Sequence, residues 1–164
     1  LDLPRPIEDR TADDHELADE YPLMFMQKHA KWRIHSQWAD NAMIRKFDNE
    51  PTLDIHPSDA GSRGIGDGDY VRVYNDRGEV VVKASYNEGM QPGLINIDEG
   101  WWHEDFVEGN LQDLTHDEVN KLAPTYVYYD VRADVEPAPD VDTSMYTDPE
   151  PAAWQDGFPN GGEN

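Results

Sequence analysis

The chain has 164 residues, which suits one domain, and its 35 acidic against 13 basic residues give a formal net charge of −22. That balance excludes nucleic acid and anionic membranes as partners, because both need clustered Lys and Arg. The absence of cysteine excludes disulfides, thiolate metal sites and iron–sulfur ligation within the chain. No stretch approaches the run of about 18 apolar residues that a membrane-inserted helix requires.

The acidity has three interpretations: a disordered chain, an acidic interaction tail, or a folded protein adapted to concentrated salt. At about 1 M salt the Debye length falls to about 3 Å, which screens most of the repulsion within a compact acidic protein. The acidic residues between Tyr21 and Glu136 are scattered among strand and turn signals. We therefore expect a salt-adapted fold in the middle of the chain and disorder at both ends.

The first fifty residues predict a linker, a strand and a helix. Leu1 to Glu20 is polar, acidic and contains prolines, which is typical of a flexible linker. The apolar run from Tyr21 to Met26 predicts a buried strand. Ser36 is a suitable N-cap for a helix over about Gln37 to Phe47.

The middle of the chain predicts short strands joined by tight turns and one brief helix. Pro57 suits the first turn of that helix, since its missing N–H is not needed there. The predicted elements are, in order, a strand over Thr52 to Ile55, a helix starting at His56, a hairpin of Tyr70 to Tyr74 with Glu79 to Ala84, and a strand over Leu94 to Ile97.

The last part predicts one more helix and one more strand. Thr115 can cap a short helix over His116 to Leu122, and Tyr126 to Val135 alternates as a strand does. From Pro137 to Asn164 the chain reads as an acidic, flexible tail. The whole pattern indicates a mainly β domain with short helices, of the kind that closes into a small barrel, although periodicity does not say which barrel.

Three stretches between Tyr21 and Glu136 resemble the C-terminal molybdopterin dinucleotide-binding domain of molybdenum oxidoreductases of the dimethyl sulfoxide reductase family. The middle stretch is common to several double-psi β-barrels, whereas the first and third are more specific. The stretches are Lys31 to Asn41; Leu53 to Ala60 with Arg63 to Ile65, Gly68 to Val73, Asn75 to Gly78 and Met90 to Gly93; and Gly109-Asn110 with Leu114-Thr115 and Tyr129 to Arg132.

The resemblance implies a double-psi β-barrel over residues 21–136, like that of aspartate decarboxylase. It implies a bis(molybdopterin guanine dinucleotide) cofactor with molybdenum, whose protein ligand lies in another domain, as does any iron–sulfur cluster. The implied partners are the remaining domains of the same polypeptide and an electron-transfer iron–sulfur subunit. The Arg33 to Gln37 motif resembles the branch that contains nitrate, selenate and dimethyl sulfoxide reductases.

The loop from His29 to Gln37 is the main candidate cofactor site. It offers an imidazole, a hydroxyl, an amide and a guanidinium, which match the ring nitrogens, carbonyl and diphosphate of a pterin dinucleotide. Arg33 could pair with a phosphate in a forked geometry, and His35, Ser36 and Gln37 could hydrogen-bond to the cofactor. A helix N-terminus at Ser36 would favour an anion. The alternative is that Arg33 and His35 are ordinary surface residues.

His103 and Asn110 complete the set of predicted cofactor-binding residues, because each resembles a family position near the cofactor. A lone Asn after Gly is otherwise a turn residue, and Trp101 and Trp102 suit either stacking on a flat ring or core packing. The six histidines show no metal-ligand spacing, so no metal site is predicted within the chain. The acidic residues are not catalytic candidates.

Three functions follow. The first is a cofactor-binding domain that holds the pterins and excludes solvent, with oxygen-atom or electron transfer performed by the parent enzyme and no turnover by the domain alone. The second is a double-psi barrel that binds a substrate or peptide without a redox role. The third is a small decarboxylase that cleaves its own Gly-Ser bond, for which Gly61-Ser62 is poorly placed, within the helix–turn segment.

Overall fold

The structure, a computed structural model, describes residues 14–117, 119, 124–125 and 131–146, and shows a closed barrel of six strands with a few short helices. The strands are β1 (Leu23–Met26), β2 (Thr52–Ile55), β3 (Tyr70–Tyr74), β4 (Glu79–Tyr86), β5 (Leu94–Ile97) and β6 (Val131–Pro137). The helices are α1 (Asp14–Glu20), α2 (Ala42–Arg45), α3 (Pro57–Ser62) and two 3₁₀ turns, His103–Asp105 and Leu111–Leu114.

The strands close in the order β1-β5-β2-β4-β3-β6. Two neighbouring pairs, β1 with β5 and β2 with β4, are parallel, and the other four pairs are antiparallel. Each parallel pair requires the chain to cross between its strands rather than turn back in a hairpin. The predicted double-psi barrel is thereby confirmed. Gly61-Ser62 ends α3, away from any strand end, which gives no support to self-cleavage at that bond.

The core is the barrel interior, lined by alternate residues of β1, β2, β3 and β6. In β3 the buried residues are Val71 and Val73, as the period of two requires. Three consecutive valines, 80 to 82, are buried in β4. Only the later half of β4 pairs with β2, whereas Gly109 pairs with Val80 along the earlier half.

The loops of interest leave the barrel at one end, which we call the exit end because β1 and β5 both stop there. Since β1 and β5 are parallel neighbours, the segments that follow Met26 and Ile97 emerge side by side. Because β2 is antiparallel to β5 and parallel to β4, β4 begins at this same end. Gly109, bridged to Val80, therefore lies there too.

The predicted helix over Gln37 to Phe47 is mostly wrong. Only Ala42–Arg45 is helical, and its N-cap is Asn41, whose side chain accepts from the N–H groups of Met43 and Ile44. Trp38 has a positive φ angle of 74°, which a right-handed helix cannot contain, and His35, just before the predicted helix, has one of 50°. Ser36 instead lies in a tight turn in which the Gln37 N–H donates to the Ile34 carbonyl at 2.9 Å.

Both predicted flexible ends contain ordered structure. Asp14–Glu20 forms α1 within the expected linker. Residues Pro137 to Tyr146 of the expected tail pack on the barrel: the Ala138 N–H donates to the Tyr70 carbonyl at 2.8 Å, and the Tyr146 hydroxyl donates to the Asp105 carbonyl at 2.7 Å. Residues 1–13 and 147–164 lie outside the described residues.

The predicted helix after Thr115 does not begin at that residue. The 3₁₀ turn Leu111–Leu114 comes before Thr115, which is its C-cap, and His116 and Asp117 are not helical. Most of the remainder of that prediction, and the start of the predicted last strand before Val131, fall outside the described residues. Within the described ranges, none of the helices has the length and apolar character needed to cross a membrane.

Candidate functional site

The segment after β1 and the segment after β5 are joined by backbone hydrogen bonds at the exit end. The Lys28 N–H donates to the Asn96 side-chain oxygen at 2.9 Å, and the Lys28 carbonyl accepts from the Glu99 N–H at 2.9 Å. The Lys28 ammonium pairs with Asp54 and Asp98. The loop that begins at His29 therefore starts from a fixed point on the barrel.

The same two segments touch again at His35 and Gly100. Gly100 has a φ angle of +89°, and a Cβ added there would overlap the His35 carbonyl carbon and oxygen. Only glycine allows this approach of the two backbones and this backbone conformation together. The contact fixes the tip of the loop, where His35 itself has a left-handed conformation.

His29, His35 and Glu99 come together in this arrangement. The Glu99 Oε1 atom lies 2.8 Å from His29 Nδ1 and 2.9 Å from His35 Nδ1, and the two imidazole centroids are 5.2 Å apart. The histidine side chains are 73% and 67% exposed, whereas that of Glu99 is 18% exposed. Two of the predicted cofactor-binding residues, His29 and His35, thus lie next to each other at the surface, on either side of a carboxylate.

Arg33 is buried, contrary to the interpretation of it as an ordinary surface residue. Its side chain is 1% exposed, its Nε donates to Asp48 at 2.7 Å, and its guanidinium lies 3.8 Å from the centroid of the Trp101 ring. Its two terminal nitrogens are buried without a hydrogen-bond partner among the described residues. In this conformation Arg33 holds the loop against Trp101 and Asp48 and does not present a fork to solvent.

Ser36 and Gln37 lie at the surface of the tight turn, Ser36 half-buried and Gln37 exposed. The expected anion site at a helix N-terminus is absent from this position, because α2 starts at Ala42 and has four residues. The serine hydroxyl and glutamine amide remain available as hydrogen-bonding groups beside His35.

Asn110 lies at the exit end as the N-cap of the second 3₁₀ turn. Its side-chain oxygen accepts from the Gln112 N–H at 3.1 Å, and Gln112 Nε2 donates to Gln27 Oε1 at 3.2 Å. Gln27 directly follows β1, so this bond ties the Asn110 segment to the start of the His29 loop. Gly109, with φ +71°, is packed so closely on the Glu79 carbonyl that a side chain would not fit. The turn interpretation of Asn110 is correct, and its position also permits a ligand contact.

His103 is exposed and begins the first 3₁₀ turn, three residues after Gly100. No hydrogen bond or ion pair within the described part of the chain joins His103 or Asn110 to His29 or His35. The structure therefore collects the predicted residues at one end of the barrel, but brings only the histidine pair into direct contact. Trp101 packs partly into the core, whereas Trp102 is 49% exposed.

The exit end also has a distinctive composition. Residues 28 to 46 contain five of the 13 basic residues of the chain and a single acidic one, Asp40. Trp32 and Phe47 stack with ring centroids 5.0 Å apart, and the Lys31 ammonium lies over the Trp32 ring. Large exposed apolar side chains in and beside this segment are Trp32, Ile34, Trp38, Met43, Phe47 and Trp102. Basic and exposed aromatic groups are concentrated here in an otherwise acidic protein.

The exit end of the closed six-stranded barrel carries imidazole, amide and hydroxyl groups on its loops, which are groups that can contact a ligand. The family model of the molybdopterin dinucleotide-binding domain matches residues 23–132. The chain belongs to that family, as the sequence motifs predict.

The curated relatives are enzymes much longer than this chain. A protein of Halobacterium salinarum, named as the catalytic component of a dimethyl sulfoxide reductase, is 61% identical over 140 residues, covering 85% of this chain and 17% of the relative. The large chain of the respiratory nitrate reductase of Haloferax mediterranei is 33% identical over 141 residues, 73% of this chain and 14% of the relative. The dimethyl sulfoxide reductase of Escherichia coli is 40% identical over 88 residues, covering 54% of this chain and 11% of the relative. The chain thus spans under a fifth of each. The halophilic source of the first relative fits the acidic composition.

Among solved structures, the acetylene hydratase of Pelobacter acetylenicus superposes with a TM-score of 0.70 at 19% sequence identity, covering 83% of this chain and 21% of that one. At this identity the similarity concerns the fold. The family match and the relatives favour the cofactor-binding interpretation over a ligand-binding module without a redox role.

Sequence reasoning missed Glu99 and Gln27. Glu99 stands 64 residues beyond His35, and only the parallel pairing of β1 with β5 places it beside the two histidines. Gln27 reads as the residue after a strand, yet it is buried, and its amide nitrogen has no hydrogen-bond partner among the described residues. The sequence signal that could have located this site is the basic segment of residues 28 to 46, which is easy to overlook in a chain of net charge −22.

Proposed function

We propose that this chain covers a molybdenum-bound bis(molybdopterin guanine dinucleotide) cofactor as one domain of a larger oxidoreductase, in which it closes the cofactor off from solvent. The parent enzyme transfers an oxygen atom and electrons, with dimethyl sulfoxide, nitrate or a similar oxidant as substrate. The carrying observation is the exit end, where an acidic chain places five of its 13 basic residues and several exposed aromatic side chains near a histidine pair.

The donor set fits a pterin dinucleotide. His29, His35 and His103 offer imidazole nitrogens, and Ser36, Gln37 and Asn110 offer a hydroxyl and amides. Each of these side chains is exposed or half-buried at the exit end. Arg33 acts as a positioning residue, because it is buried against Trp101. Molybdenum supplies the oxygen-atom chemistry when the cofactor is bound, and these residues bind and orient the organic part.

The local charge explains how a diphosphate can bind to a chain of net charge −22. Lys31 and Lys46 stand in the segment with one acidic residue, and concentrated salt screens repulsion from carboxylates more than a few Å away. Short-range hydrogen bonds at the contact itself are screened much less. We therefore expect binding that is weak in isolation and persists in high salt.

The partners follow from the same proposal. The remaining domains of a longer polypeptide complete the cofactor site and cover the exposed aromatic side chains near Trp32 and Trp102. An iron–sulfur subunit delivers the electrons. We expect no turnover by the isolated chain, because the protein ligand of molybdenum and any iron–sulfur cluster belong to other domains.

The test is a titration of the ¹⁵N-labelled chain with GDP in molar KCl, in the presence of a chelator, followed by amide chemical shifts. GDP carries the guanine and diphosphate of the cofactor. We expect shifts concentrated in residues 29 to 37 and at Asn110, with none at Asp59 and Gly93, which lie at the opposite end of the barrel.

A matched pair of variants separates recognition from general perturbation. Ser36→Ala should weaken the GDP-induced shifts, whereas Ser62→Ala, in α3 at the far end, should leave them unchanged. Shifts spread evenly over the barrel, or a lack of shifts at millimolar GDP in the loop, would count against the proposal.

A further inference from the structure

The strongest unassigned feature is the ligand geometry of His29, His35 and Glu99. One ligand atom from each residue lies within 4.8 Å of the other two, a spacing that a single metal ion can bridge. Two imidazoles and one carboxylate are ligands that Zn²⁺ accepts in sites that keep a fourth position open. In the described part of the chain, this is the one such group.

The carboxylate oxygen gives an independent indication. Glu99 Oε1 is buried and makes no hydrogen bond, although two imidazole nitrogens stand 2.8 and 2.9 Å from it. Neither contact has hydrogen-bond geometry. A buried carboxylate oxygen without a hydrogen-bond donor is unfavourable, and a cation held between these three groups would be its partner.

The three ligand-bearing segments are also held in place. The Glu99 N–H donates to the carbonyl of Lys28, the neighbour of His29, and Gly100 packs on the His35 backbone. In a tetrahedron with bonds of about 2.0 Å, ligand atoms are about 3.3 Å apart. The Glu99 oxygen lies 2.8 and 2.9 Å from the two Nδ1 atoms, so each of these distances must lengthen by about half an ångström, and any two of the three ligand atoms already lie within 4.8 Å of each other. The nearest ammonium, that of Lys28, is occupied by Asp54 and Asp98 and so opposes a cation weakly.

We infer that His29, His35 and Glu99 form a binding site for a divalent first-row transition metal ion of the zinc type, with its open position toward solvent. The inference goes beyond the proposed function, because it concerns metal binding to the chain without any dinucleotide. Imidazole-rich sites favour zinc-type ions over Mg²⁺ and Ca²⁺, which prefer oxygen ligands. The scattered surface carboxylates of this protein are expected to bind Zn²⁺ only weakly in molar salt.

The experiment is a Zn²⁺ titration of the metal-stripped 164-residue chain in molar KCl without nucleotide, by calorimetry. We expect one tight equivalent. His29→Ala, His35→Asn and Glu99→Gln should each weaken that site by about ten-fold or more, the loss typical even of outer-shell changes at metal sites. Asn tolerates the positive φ angle of His35, so this variant should keep the loop conformation.

Glu104→Gln is the matched control, since it removes an equal charge from a neighbouring exposed position and should leave the tight equivalent unchanged. Co²⁺ provides a second readout: bound at this site it should give visible absorption bands that the three ligand variants lose. Circular dichroism checks that each variant is folded. The inference is overturned if the tight equivalent is missing, or survives in His29→Ala and His35→Asn. Because the GDP titration contains a chelator and the zinc titration contains no nucleotide, each proposal can fail without the other.

Discussion

Replacing Gly100 by alanine tests the contact that holds the candidate site together. In the structure, the added Cβ would overlap the carbonyl oxygen and carbon of His35, and φ at this position is +89°. The left-handed conformation alone costs an L-residue about 1–2 kcal/mol. Relieving the overlap requires the two backbones to separate, which adds about 1–3 kcal/mol on the scale of overpacked sites. We expect the free energy of unfolding to fall by about 3 kcal/mol in total.

Gly93→Ala is a control with the same backbone conformation. Gly93 also has a φ angle of +89°, but a Cβ added there would have no atom within 4 Å. This variant should therefore show only the conformational penalty of about 1–2 kcal/mol. The difference between the two variants isolates the contact between Gly100 and His35.

Urea denaturation in molar KCl, followed by tryptophan fluorescence, measures both free energies, and equal slopes would show that the comparison is valid. Gly100→Ala should also shift the amide signals of residues 29 to 37, whereas Gly93→Ala should not. Equal destabilisation by the two substitutions would refute the reasoning, because the close approach would then contribute nothing.

Three further predictions concern stability. First, the melting temperature should fall as KCl is diluted from molar to about 0.1 M. The Debye length then grows from about 3 to about 10 Å, so the carboxylates of a chain of net charge −22 repel one another again. A melting temperature that does not change with KCl would contradict salt adaptation. Second, burial, reinforced by Glu50, raises the pKa of Tyr146 from 10.0 to about 12. The folded state therefore favours the protonated phenol, and the free energy of unfolding should decline from about pH 10 to pH 12. The urea midpoint of Tyr146→Phe should decline less over this range than that of the parent chain. Third, Arg33→Lys should lower the free energy of unfolding by about 1–2 kcal/mol, because lysine lacks the flat guanidinium face over Trp101; unchanged urea denaturation would show that the stacking is unimportant.

Local sequence signals located the strands well. The hairpin of β3 and β4, the strand before Pro57 and the strand after Gly93 all lie where alternation and turn residues predict them. Each depends on a period-two pattern or on a residue with a restricted backbone, which act over a few neighbours. The predicted helix after Ser36 is mostly wrong, since Trp38 has a positive φ angle and the helix begins only at Ala42.

The same reasoning predicted only part of the candidate site. The motif from Arg33 to Gln37 and the Gly109-Asn110 pair indicated the correct family, and both are at the exit end of the barrel. The sequence did not reveal that Arg33 is buried, since burial depends on Trp101, 68 positions later. Nor did it reveal Glu99 beside the histidines, because no sequence spacing links residues brought together by strand pairing.

By itself, then, the sequence located the strands and turns of a mainly β domain, because apolar alternation and turn residues are short-range properties. Its motifs indicated, by resemblance, the barrel type, the family and the segment that carries the candidate cofactor contacts. The tertiary structure alone decided which side chains face one another: the parallel pairing of β1 with β5 sets Glu99 between His29 and His35 and buries Arg33 against Trp101. The physical reason is that register between strands distant in the chain is fixed by burial of the whole core, which no single segment encodes.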